Sequence, residues 1–104
     1  MEYILSDDAL SDLDDIAAYY LEVRPQFADV LLAEFEVQFR FVAKYPGIGA
    51  ECGHLHRGMR RTNVRDYLVF HWHTTDGTTI MRVLYGARDI DADFFDESTP
   101  RGTP

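Results

Sequence analysis

Cysteine is almost missing from this chain. Cys52 is the only one in 104 residues, so no internal disulfide can form, and thiol-based metal binding lacks its ligands. Lysine is equally scarce, with Lys44 standing against nine arginines. No apolar run approaches the roughly 18 residues of a membrane span, so no membrane association is expected. Residues Met1 to Asp8 carry neither a basic leader nor a long apolar stretch, so no signal peptide is expected and the cytoplasm is the expected location. The phosphate-cradling glycine loop, the CxxC pair and the HExxH helix are all missing. What is present is 46% apolar and 27% charged residues, the balance of one folded domain with a single core.

The net charge of −8 is unevenly spread. Residues 1–51 hold 11 acidic and 3 basic side chains, whereas residues 52–104 hold 7 of each. Within 57–88, six arginines (Arg57, Arg60, Arg61, Arg65, Arg82 and Arg88) stand against only Asp66 and Asp76. A broadly acidic molecule repels nucleic acid, so direct nucleic-acid binding is not expected. The arginine zone can still grip a phosphate or carboxylate bidentately.

Tyr3-Ile4-Leu5 reads as a short strand, with Ser6 placed to cap a helix over about 7–23. The apolar positions of that helix fill roughly 140° of the wheel, an ordinary buried face. Arg24-Pro25 ends it, and a second helix runs to about Lys44. There the apolar positions, among them Val30, Val37 and Phe41, spread over roughly 220°. One small domain does not cover so wide an arc, so a partner surface is expected on this helix. Tyr45-Pro46-Gly47 stops it, and the stretch to Arg57 reads as loop. Strands follow near 58–64, 67–74 and 78–86, with a hairpin signal at Asp76-Gly77. The strand at 3–5 should join them. Asp91–Asp96 suggests one short helical turn, and residues 97–104 a disordered tail after a single domain over 1–96. The order β-α-α-β-β-β is an α+β fold, a helical hairpin on an antiparallel sheet. The second sheet face is expected to be open.

The chemistry-bearing side chains form no strong motif. His71 and His73 lie two apart in a strand and share a side. With His54 and His56 they make two His-x-His pairs, but no third metal ligand is evident. Alternation places Leu68, Phe70 and Trp72 on the buried side and the histidines on a polar face. Arg82 sits mid-strand between Met81 and Val83, where an ion pair with Asp89 or Asp66 is the expected explanation; Arg88 invites the same pairing.

Several segments together resemble the ParE branch of the ParE/RelE toxin superfamily. They are Val42-Ala43-Lys44-Tyr45-Pro46-Gly47-Ile48-Gly49, then Leu55 to Arg61, Tyr67 to His71, and Met81-Arg82-Val83-Leu84-Tyr85-Gly86-Ala87-Arg88-Asp89-Ile90. The resemblance spans about residues 3–95. It implies the toxin of a bacterial type II toxin–antitoxin pair, with Arg82, Gly86, Arg88 and Asp89 as the family's structural motif. It also implies a co-encoded ParD-like antitoxin that wraps the toxin. That partner would cover the surplus apolar surface at Val30, Val37 and Phe41, and the arginines Arg57, Arg60, Arg61 and Arg65. ParE-like toxins act by binding DNA gyrase, with no cofactor and no catalytic residues. A RelE-like ribosome-dependent ribonuclease is the alternative, with Arg61, His71 and Arg82 as its candidate set. A degenerate, non-toxic binding module is a third reading. The chain departs from the family where Tyr85 replaces a common histidine, and at Ala50-Glu51, where a basic residue is usual.

Overall fold

The computed structural model describes residues 3–95, so the expected tail lies outside the described residues. The chain runs through β1 (Tyr3–Leu5), α1 (Asp7–Val23), α2 (Pro25–Lys44), β2 (Ala50–Glu51), β3 (Met59–Val64), β4 (Tyr67–Thr74) and β5 (Gly77–Tyr85) to a 3-10 turn, Ala92–Phe95. One sheet holds all five strands in the order β1-β5-β4-β3-β2. β3, β4 and β5 form the expected meander, while β1 pairs parallel to β5, with Tyr3 opposite Thr78 and Leu5 opposite Ile80. The class is α+β, with the helical hairpin laid on the sheet.

Ser6 fixes the junction of β1 and α1. Its hydroxyl accepts from the Ala9 N–H at 3.0 Å and donates to the Met81 carbonyl at 2.8 Å. One side chain thus caps the helix and ties its start to β5. Arg24 breaks the helical path, and Pro25 opens α2 where its missing N–H does no harm. The buried face of α2, with Leu31, Phe35, Phe39 and Val42, packs on Val69, Ile80 and Val83 of the sheet.

The structure corrects three expectations. The stretch to Arg57 is not all loop, because Ala50 and Glu51 pair with Arg61 and Arg60. Gly49, at φ +90, turns the chain onto that edge, and a Cβ there would collide with the Arg61 carbonyl. The second sheet face is not open. The residues after β2 and the 3-10 turn cover it, giving a second core of Cys52, Met59, Phe70, Met81, Leu84 and Phe95. Nor does β4 have a polar face. Leu68, Phe70 and Trp72 belong to this second core, while His71 stands opposite Ile80 of the first core and is 1% exposed.

A bulge in β5 reconciles the two faces. Phe70 pairs with Arg82 and His71 with Ile80, which leaves Met81 as the extra residue. Ile80 and Val83 can then both face the helices, while Met81 and Leu84 both face away.

Candidate functional site

Helix α2 keeps part of its apolar surface in solvent. Val30, Val37 and Phe41 are 47%, 67% and 47% exposed, and their spacing of seven and four residues sets them on one line along the helix. Beside that line runs an incomplete sheet edge. β2 pairs only with Arg60 and Arg61, so Thr62 to Val64 have no strand partner on that side among the described residues. Helix and edge enclose a groove of about 630 Å3, lined by Val30, Ala33 and Val37 from α2 and by Asn63 and Val64 from β3. Phe41 lies farther along the helix, its ring edge-on to Tyr45 at 5.2 Å.

Arg65 and Glu34 also line the groove. Arg65 has a left-handed backbone, φ +53, in the β3–β4 turn. Its Nε and Nη2 donate to the two Glu34 oxygens at 2.7 and 2.8 Å, joining that turn to α2. The hydrogen bond from Arg65 holds the Glu34 carboxyl below the usual carboxylate range. The Arg65 guanidinium also stacks on Phe27 at 4.8 Å.

The other arginines do not converge on this groove. Arg60 turns its Nη1 to the Gly49 carbonyl at 2.9 Å. Arg61 is exposed and stands in register with Phe70, whereas Arg60 stands opposite His71, on the other face of the sheet. Arg57 is exposed in the loop before β3. The groove therefore unites Val30, Val37 and Arg65. Phe41, Arg57, Arg60 and Arg61 lie outside its lining.

The set Arg61, His71 and Arg82 is likewise dispersed. Burial, helped by the nearby Arg60 charge, pushes the His71 imidazole down to about 4, and its Nε2 has no hydrogen-bond partner among the described residues. Arg82 is committed to a bidentate pair, with Nε and Nη2 donating to Asp12 at 2.8 and 2.7 Å and Nη1 to the Phe94 carbonyl at 3.2 Å. The partner is Asp12 and not Asp89 or Asp66. The reason is local. β1 ends at Leu5, so the Val83 N–H has no strand beside it, and the Asp12 carboxylate accepts it at 2.9 Å. Arg88 makes no ion pair among the described residues and instead stacks on Phe94 at 5.0 Å. The Gly86 N–H donates to the Asp66 carbonyl at 2.8 Å and closes the sheet end, while Asp89 is exposed.

The profile described as "ParE toxin of type II toxin-antitoxin system, parDE" matches residues 3–90. This chain belongs to the ParE toxin family. A solved structure titled "Chromosomal ParDE TA system from P. aeruginosa" matches with a TM-score of 0.69 and 18% identity, covering 82% of this chain and 95% of that one. At that identity the likeness concerns the fold. No match was found among curated proteins. Among the described residues no helix is long and apolar enough to cross a membrane.

For this ParE-family chain the sequence reading missed Asp12. It lies outside the apolar arc of α1 and reads as one more solvated acid among Asp7, Asp8, Asp14 and Asp15. The signal that could have found it is the buried arginine in β5, which needs a carboxylate from whichever element crosses that strand.

Proposed function

We propose that this chain is a binding toxin that inhibits DNA gyrase and is neutralised by a co-encoded ParD-like antitoxin seated in the groove between α2 and β3. The observation that carries the reading is the groove itself. It joins an exposed valine line, a strand edge unpaired among the described residues and an arginine, three features on which an amphipathic segment can dock. The apolar anchors against Val30 and Val37 would supply most of the affinity, with charges near Arg65 setting register. Arg57, Arg60, Arg61 and Phe41 would meet a segment long enough to continue past the groove.

Placement of the ribonuclease set supports binding over catalysis. A general base must reach its proton. His71 is buried on one sheet face, Arg61 stands on the other, and the Arg82 donors are engaged by Asp12 and Phe94.

Induced expression without the neighbouring gene is the test. Gyrase inhibition gives growth arrest with an SOS response and filamentation, relieved by co-expressing the antitoxin. It also gives loss of supercoiling by purified gyrase. Arrest with cleaved messenger RNA would move the chain to the RelE-like alternative, and no arrest would make it the non-toxic module.

A further inference from the structure

A second cavity, of about 200 Å3, lies between α1 and the end of β5 and shares no lining residue with the α2 groove. Its aromatic walls are Tyr19 on α1, Tyr67 on β4 and Tyr85 on β5. Tyr19 and Tyr85 are 58% and 48% exposed, and Tyr19 also stands edge-on to Tyr20 at 4.9 Å. Tyr67 is the inner wall, edge-on to Tyr85 at 5.9 Å and to Phe35 at 5.6 Å. Burial, with a hydrogen bond to Tyr20, pushes its phenol well above the ordinary range, so the wall stays neutral.

The charges around the cavity are unequal in availability. Both Asp12 oxygens are taken by Arg82. Arg88 lies against the Phe94 ring. Asp15 is exposed and has no ion pair among the described residues. Arg88 also lines the cavity; with its guanidinium over the Phe94 ring, Asp15 and the three tyrosine rings are left to receive a second cation, because ring faces carry negative potential. A planar guanidinium uses such a site better than an ammonium does, since it stacks on a ring while pairing bidentately with a carboxylate. The volume is below the roughly 300–1,000 Å3 of pockets for drug-sized ligands, and suits one side chain. The first half of the chain, with its net charge of −8, would draw a basic segment toward α1.

We propose that this cleft takes an arginine side chain presented by a second protein, its guanidinium lying against Tyr19 and Tyr85 and pairing with Asp15. The contact does not rest on the antitoxin reading. It leaves the α2 groove free, so both surfaces can be occupied at once.

The test is a titration of the full chain with an acetyl-Gly-Arg-Gly-amide peptide, following tyrosine ring signals by NMR, with the Glu counterpart of that peptide as control. The expected result is saturable movement of the Tyr19 and Tyr85 signals, larger than the movement elsewhere on α1. Asp15→Asn and Tyr19→Ala, both at exposed positions, should each weaken the apparent affinity roughly two- to fivefold. The same titration of a Val37→Asp chain, altered only in the α2 groove, should be unchanged. Non-saturating shifts spread evenly along the acidic face of α1, an equal response to the Glu peptide, or insensitivity to both substitutions would overturn the proposal.

Discussion

The two faces of the sheet are both buried, but they are built differently. The helix face is covered by α1 and α2, regular elements whose apolar positions repeat at helical spacing, and its core runs from Ala9 through Phe39 to Val83. The outer face is covered by irregular chain, the loop after β2 and the 3-10 turn, with Phe95 resting edge-on against Phe70 at 4.9 Å. Arg82 connects the two coverings, reaching Asp12 of α1 and the Phe94 carbonyl of the 3-10 turn. The contrast leads us to expect more of the fold's stability on the helix face, and it shows that a short segment can cover the other.

Substitutions in the two cores should separate these contributions. Phe35→Ala, at a ring 1% exposed in the helix core, should destabilise by about 3–5 kcal/mol. That is a large share of the roughly 5–15 kcal/mol that holds a small domain folded, and a denaturant midpoint would show it. Breaking the connection comes next. Asp12→Ala strands the Arg82 charge and the Val83 N–H together, and should lose about 3 kcal/mol. Asp12→Asn should recover part of that, because an amide oxygen can still accept from Val83. Phe95→Ala should fall near the low end of the about 3–5 kcal/mol range for buried phenylalanines, because a short 3-10 turn can settle into the space left behind. Hydrogen exchange should then quicken at the outer face while α2 amides stay protected. Equal exchange on both faces would refute the division.

A proton is a gentler probe of the helix face. The buried His71 imidazole is held down to about 4 against an ordinary 6.5. Between those values the unfolded chain binds more protons than the folded one, so stability rises with pH across this window. It is complete above about pH 6.5 and falls as the pH drops toward 4, by on the order of 2 kcal/mol. His71→Leu should flatten that slope in urea titrations from pH 7 to 4, leaving only what the carboxylates contribute.

The helices, the meander and their limits were legible because each has one dominant period and a clear stop. Pro25, Pro46-Gly47 and Asp76-Gly77 mark the turns, and Ser6 is a cap whose partner lies three residues on. The surplus apolar surface of α2 was legible too, since an arc of roughly 220° exceeds what a two-layer domain covers. What escaped depends on long-range pairing. The two-residue β2 has no period to read, and its place follows from Gly49 meeting β3. The outer core was missed because the β5 bulge shifts alternation by one residue at Met81. Among the residues that line the groove, Val30 and Val37 announced themselves by spacing. The opposite faces of Arg60 and Arg61 followed from strand alternation, whereas the pairing of Arg65 with Glu34 did not, because it depends on a turn brought against α2 by the fold.

The smallest expected effect on folding belongs to the residue on which the proposed antitoxin contact most depends. Val37 is 67% exposed, so Val37→Asp should change stability by less than about 0.5 kcal/mol. Its effect on the complex measures the central claim directly. Wild-type and Val37→Asp chains would be titrated with the purified co-encoded antitoxin by calorimetry, with circular dichroism confirming that both are folded. The account predicts that the substitution places an unpaired charge in the groove and weakens binding at least about a hundredfold. Unchanged affinity for a folded Val37→Asp chain would contradict it and move the antitoxin to another surface.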